Sequence, residues 1–471
     1  MRKAILYPVL LLSILILTVP VSYFWLTQAV KLLILETLTI HNYTVDVISF
    51  NPFSRHLEII GLRGKKSNGY SRAARVNIIL SWPVILLNSP LHTLLASQDH
   101  FMTIGEKLEA HNISAILPEG RFSVQRIEAD AVLLNTNFVS LAGKPESTSD
   151  NLALHLAFDD LRLLFCSMDM PGEGLFVSIN TVMAHGWRDK RITNLGFDAL
   201  SVRQRGADLL KIAHVACRDL FFINLTKALA DPKAFFQKSG DFFFSSMEIR
   251  GFVSSGVELD KLSMVWTDSL LGSTRFSGLK IPSSYLSDAL LSGISKTLIF
   301  DGECHARELG QGIIQTDYAI ASAGLGELQA TSRVYLPSNL QKSGIETTLL
   351  SYRFSDIFLR FTDKGLMARL ALSSGDPAAF APILGMAAGM AIDTDKSGNQ
   401  AILDALLRFV ARPGVLELRS LPGKQFTLLE AGDSIVQKKD PAALFWLAVS
   451  PGQKDLNTQA QHLTTPLTPA K

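Results

Sequence analysis

From Ala4 to Val30 the chain runs AILYPVLLLSILILTVPVSYFWLTQAV without one Asp, Glu, Lys or Arg. A helix needs about 20 consecutive apolar residues to cross the hydrocarbon core of a bilayer, so this run suffices even with a kink at Pro20. Arg2 and Lys3 flank the near end, only Lys31 flanks the far end, and this asymmetry keeps the N-terminus in the cytoplasm. Tyr23 and Trp25 fall near the far end, where amphipathic rings favour the membrane interface. The run therefore predicts a single-pass anchor over residues 1–31, with the remaining chain outside. A cleaved signal peptide is the competing reading, with an apolar core of about 7–15 residues and a small-x-small cleavage site. The nearest such site, Leu26-Thr27-Gln28-Ala29, has Leu at the first small position.

Beyond the anchor the chain is long enough to bury a core. Charged residues make up 19% and hydrophobic residues 47%, so the exported part stays mildly apolar and must either bury much of its surface or keep an apolar face for a ligand. A net charge of +2, without a basic stripe, gives no footprint for nucleic acid. Cys166, Cys217 and Cys304 are too few for a disulfide scaffold. The first two sit in apolar strand-like stretches, as buried free thiols or as one bridge between them.

Residues 32–38 either continue the anchor helix or form an amphipathic collar. Then the period changes to two. Tyr43–Phe50 and His56–Arg63 alternate on either side of Asn51-Pro52, and Ala74–Leu80 makes a third strand. Trp82 to Leu95 is ambiguous. Further strand-like runs occupy 121–129, 152–165, 175–184, 195–202, 242–253, 257–266, 313–322, 325–336, 346–361 and 365–372, with short helices expected at 226–238 and 283–297. A weak motif, apolar-x-apolar followed by Gly or Asp and then Leu or Ile, recurs as IIGLRG, FDDLRL, CRDLFF, FSGLKI and FSDIFL. It marks either strand ends at turns or a repeated hairpin unit. Asp376-Pro377 opens an apolar helix to Ile392, with Asp as N-cap and Pro at the first position. Its Gly385 and Gly389 would allow close packing on a neighbour. A second helix spans 399–411, a strand VLELRS follows, and 441–449 is a last apolar segment. The fold class expected is mainly β with α additions: an N-terminal transmembrane helix, a long antiparallel meander forming a curled sheet or groove over 32–374, a C-terminal helical pair with a closing strand over 375–451, and a disordered tail over 452–471.

No nucleophile elbow, zincin pair, phosphate loop or dinucleotide glycine motif is present, so no catalytic, cofactor-binding or metal site is expected. His305 near Glu303, or Asp159-Asp160, reads as a solvated strand face rather than an acid–base pair. Asp393-Thr394-Asp395-Lys396-Ser397-Gly398 follows a calcium-loop order and ends on Asp404, but Asp is short for a bidentate ligand at the twelfth position. A polar linker between two helices accounts for the same residues. Asn42, Asn112 and Asn224 head N-x-S/T triplets, as chance provides.

The anchor, the strand ending Ile48-Ser49-Phe50-Asn51-Pro52-Phe53, the segment His56-Leu57-Glu58-Ile59-Ile60-Gly61-Leu62-Arg63 and the entry Ala73-Ala74-Arg75-Val76 together resemble the start of AsmA-like bacterial envelope proteins. The resemblance covers under a fifth of the chain. It implies an inner-membrane protein with a periplasmic β-sheet curled into an apolar groove, associated with lipid transfer and outer-membrane integrity. The expected function is non-enzymatic lipid handling or envelope assembly, with the membrane, a phospholipid or other lipid and envelope proteins as partners. An adaptor ectodomain that binds another envelope protein, and an enzyme without a familiar motif, are the alternatives.

Overall fold

The computed structural model describes residues 42–66, 69–85, 101–118, 120–135, 156–188, 191–221, 244–268, 271–283, 297–310, 312–335, 352–373 and 377–454, with 24, 26–32, 34–36 and 38–39 of an N-terminal helix. The protein is mainly β, with a few short helices. It divides into two compact units, Met1–Phe222 and Ile223–Lys471.

The first unit is an open antiparallel meander. Its strands are β1 (Tyr43–Thr44), β2 (Val47–Asn51), β3 (His56–Lys66), β4 (Gly69–Leu80), β5 (Phe101–Leu117), β6 (Gly120–Asn135), β7 (Leu156–Met170), β8 (Leu175–Arg188), β9 (Arg191–Gln204) and β10 (Ala207–Phe221). From β2 to β10 each strand pairs with the next, and β1 lies beside β2 on the same edge of β3. The described residues between 26 and 39 are helical, so the segment after the apolar run continues as a helix. Leu26, Val30 and Ile34 pack with Phe50, Leu57, Ile59 and Ile78.

Two lines of left-handed residues cross this sheet. Gly61, Asn112, Phe165 and Ala199 have φ of 70, 50, 51 and 53° in the middle of β3, β5, β7 and β9. By register they face Ala74, Gln125, Asn180 and Ala213 on the even strands. Ala131, Gly186 and Asp219, with φ of 48, 66 and 54°, form a second line on β6, β8 and β10, opposite Glu106, Asp159 and Thr193. Each of β5 to β10 crosses both lines, at 106 and 112, 125 and 131, 159 and 165, 180 and 186, 193 and 199, and 213 and 219. At each crossing the side-chain alternation slips by one, which is why Ile212, Val215, Cys217 and Leu220 of β10 are all buried.

The second unit repeats the meander in β11 (Ser246–Ser254), β12 (Val257–Asp268), β13 (Leu271–Pro282), β14 (Thr297–Gly310), β15 (Ile313–Ser322), β16 (Gly326–Tyr335) and β17 (Arg353–Asp363). Then come α1 (Leu366–Ser373), α2 (Pro377–Ala391), α3 (Asn399–Ala411), β18 (Val415–Ser420), α4 (Leu428–Gly432) and β19 (Phe445–Ser450). Successive strands pair from β11 to β19. Gly251, Gly278 and Asp356 are again left-handed in mid-strand. Met367, Ala368 and Ala371 of α1 and Phe409 and Val410 of α3 form a core with Phe361, Leu416 and Val449.

Two expectations are corrected. The run 365–372 is not a strand: Leu366–Ser373 is a helix. The run GLMARLAL satisfies either period, and the buried set 367, 368 and 371 is helical. The Asp363 carboxylate accepts from the backbone N–H of Gly365 (3.1 Å) and Met367 (3.0 Å), which starts the helix there. Secondly, the Gly/Asp motif marks neither strand ends nor hairpins, because Gly61, Asp219, Gly278 and Asp356 of four of its copies are left-handed residues inside strands. The helix 399–411 and the strand 415–420 coincide with expectation. The segments 226–238 and 284–296, Asp376 and residues 455–471 lie outside the described residues.

Burial raises the Asp363 carboxyl above its ordinary value against the opposing pull of the backbone N–H groups. The folded protein thus holds this proton more tightly than the unfolded chain, and the contribution to stability falls as pH rises through the raised value. Asp363→Ala is expected to cost about 1 kcal/mol in denaturant unfolding, and Asp363→Asn to remove this pH dependence. A Cβ on Gly278 would collide with the Asp260 carboxylate, at a φ of 63°. Gly278→Ala is therefore expected to cost about 1–2 kcal/mol or more by the same measurement.

Candidate functional site

The slips in alternation sort the side chains of the first unit by chemistry. Between the two lines of left-handed residues, two rows run unbroken across β5 to β10. One is Leu108, Ala129, Leu161, Ala184, Leu195 and Cys217; the other is Ala110, Ile127, Leu163, Val182, Phe197 and Val215. On the same face and beyond the lines lie Val124, Cys166, Ile179, Leu200 and Ile212 on one side, and Val132, Phe158, Trp187, Ile192 and Leu220 on the other. None of these residues is charged. Towards β2 the face continues through Ile78, Val76, Leu57, Ile59, Ile48 and Phe50, where among the described residues the N-terminal helix packs on it. Eight inter-strand steps of about 4.8 Å and ten residues of about 3.3 Å give an apolar face of roughly 1,200 Å².

The opposite face carries the charge. Its middle rows read Lys107, Asp130, Asp160, His185, Asn194 and Arg218, and His111, Arg126, Leu164, Thr181, Asp198 and His214. Arg126 pairs with Glu128 at 2.7 Å and Glu109 at 3.5 Å, and Arg162 reaches Glu128 at 3.8 Å. The Nδ1 atoms of His185 and His214 lie 2.7 and 2.6 Å from Asp160 and Asp198. Asp159 and Asp219, on the second line, pair with Arg188 and Arg191 at 2.5 Å. Arg75 holds the Glu58 carboxyl below its usual range, and Lys211 with Arg203 does so for Asp208. A hollow of about 620 Å³ on this face is lined by Asp160, Arg162, His185, Asn194 and His214 among others. His185 and Asp160 are about 60% exposed there, in keeping with a solvated face.

All three cysteines are free. Cys166 and Cys217 lie on the apolar face three strands apart and, by register, five residues apart along the strands, farther than a disulfide spans. Desolvation pushes the Cys217 thiol up to about 11 and raises Cys166 and Cys304.

Of the expected membrane-interface residues, Arg2, Lys3, Tyr23 and Trp25 lie outside the described residues. Lys31 is helical and half-buried. Among the described residues no helix is long and apolar enough to cross a membrane. The Asp393–Asp404 segment is bonded internally. Asn399 is buried and donates to the carbonyls of Asp393 (2.8 Å) and Lys439 (3.0 Å), Lys396 lies 3.6 Å from the Asp393 carboxylate, and Asp404 accepts from Gln400 within α3. No group of three His, Cys, Asp or Glu is placed to hold a metal among the described residues. His305 lies 3.8 Å from Glu303, which binds Arg275 at 2.6 Å.

Sequence reasoning located most strands but not the face. The signal was present as spacing: 195, 197, 200 and 202 on β9, or 177, 179, 182, 184 and 187 on β8, alternates steps of two and three. No protein-family model matches the chain, and no curated protein matches it.

Buried neutral thiols should react slowly. At pH 8 a thiol of pKa about 11 holds roughly a hundredth of the thiolate of a free cysteine. Native Cys217 is accordingly expected to be labelled by a maleimide about two orders of magnitude more slowly than in denaturant, as read by mass spectrometry.

Proposed function

We propose that this is a non-enzymatic protein anchored in the bacterial inner membrane by residues 4–30, whose periplasmic strands hold lipid acyl chains on the apolar face of β2 to β10, in lipid handling or envelope assembly. The observation that carries the reading is the segregation of side chains. The apolar face runs across nine strands over a lattice area of roughly 1,200 Å², with the N-terminal helix packed on its β2 to β4 end. Every charge in the middle rows is on the other side. Such a face suits a ligand that is long, apolar and without directional bonds. Left-handed residues in mid-strand bend a strand, and two lines of them support a sheet curled around its apolar side. Val124, Ala129, Ile192 and Val215 of that side are 1 to 4% exposed, which accords with such a curl. The likeness of the first 80 residues to AsmA-like proteins points the same way.

Two adjacent residues of β7 give the test. A photoreactive amino acid replacing Leu163, on the apolar face, is expected to yield phospholipid adducts in cells, and one replacing Arg162, on the charged face, is not. Leu163→Asp should lower lipid co-purifying with the full-length protein several-fold while the circular dichroism of the sheet is kept. Ile59 is a poorer probe because it is buried with Val30. A folded protein free of lipid, without adducts at Leu163, would leave the adaptor role in its place.

A further inference from the structure

We infer that α2, Pro377–Ala391, is a bilayer-docking element, which seats the second unit on a phospholipid membrane surface. The helix reads PAAFAPILGMAAGMA and contains no side chain that is charged or can donate a hydrogen bond. One side is accounted for: Phe380 and Ala381 pack on the core of α1 and α3, and Gly385 lies so close to Leu407 of α3 that a Cβ would crowd it. The other side is apolar too and faces outward, with Ile383 55%, Met386 60% and Met390 72% exposed. A helix that is apolar all round belongs in a protein core or in lipid, and this one has only one side in the core. Methionine occurs at protein interfaces too, but the outward face offers no aromatic ring, arginine or hydrogen-bond donor on its side chains, and a hydrocarbon layer needs none. At 15 residues the helix is roughly 22 Å long, too short to cross a core of about 30 Å, so it enters one leaflet. Lys439 closes the helix end by donating to the Met390 carbonyl at 2.9 Å, and its aliphatic stem lets the charge stay at the headgroups. The core beneath α2 includes Phe361, Leu416 and Val449 of β17 to β19. α2 thus continues the apolar layer of that end of the meander onto the outer surface, a support that rests on the lipid reading above, whereas the exposed residues do not.

The test uses the full-length protein held in phosphatidylcholine nanodiscs, or in solution if it does not enter them. It is floated with extruded vesicles of phosphatidylethanolamine and phosphatidylglycerol, which distinguish a bilayer from a single bound lipid. Wild type is expected to float with the vesicles, and Met386→Asp with Met390→Asp to lower the bound fraction at least tenfold. Both positions are exposed, and an unchanged thermal midpoint excludes unfolding. Phospholipid adducts at Leu163 should be unaffected by the double substitution, so loss of vesicle binding and loss of lipid on the strands are read separately. Wild type that stays below the vesicles, a double variant that floats equally well, or flotation replaced by concentration-dependent self-association would overturn the assignment.

Discussion

A β-strand sends successive side chains to opposite faces, and in the first unit this parity is reset twice along each of six neighbouring strands. The resetting residues are held in a left-handed conformation that costs a residue other than glycine about 1–2 kcal/mol. Asn112, Ala131, Phe165, Ala199 and Asp219 all adopt it. Five such residues amount to something on the order of 5–10 kcal/mol, comparable to the whole net stability of a domain. Such a backbone persists only where the surroundings over-determine it. Here the surroundings are the neighbouring strands, each reset at the same level, so that no strand could return to plain alternation without turning its leucines and valines against the lysines and aspartates of the next.

The two faces then stabilise the sheet in different ways. On the charged side the contacts include cross-strand pairs such as Arg162 with Glu128 and Asp160 with His185. They are largely exposed, so each contributes little, and their main effect is on register, since a slip would oppose like charges. On the apolar side the contribution comes from area, at about 25 cal/mol per Å² removed from water. The covered end lies at β2 to β4, where Leu26, Val30 and Ile34 pack on it. In the second unit α1 and α3 cover β17 to β19 in the same manner.

How much of this the sequence revealed follows from the same geometry. Segments with plain period two, such as Val47–Asn51 and His56–Ile60, were legible, as were helix 399–411, which stops before Pro413-Gly414, and the strand that follows it. The apolar face was not. Its rows obey a two-three spacing that resembles neither an alternating strand nor a helix of period 3.6, and the Gly or Asp that resets the parity looks like ordinary turn chemistry. Residues 365–372 failed for a related reason, because a short run with apolar residues at most positions fits either period until Asp363 is seen capping it. Close packing of α2 on a neighbour was foreseen at Gly385, where it meets Leu407, and at Gly389, where nothing lies within 4 Å of an added Cβ; that α2 would be bare on one side could not be read from a helix apolar on all sides.

The lines of left-handed residues also limit how such a chain can change in length. Five residues separate the lines on each of β5 to β10. One residue gained or lost inside that interval would exchange the apolar and charged positions over the rest of the strand. An insertion in a connecting hairpin leaves every position in phase and costs only loop closure. Length variation in related chains should therefore gather at the strand ends and pass over the intervals between the lines. That spacing can be sought in other sequences where side-chain identity has drifted beyond alignment.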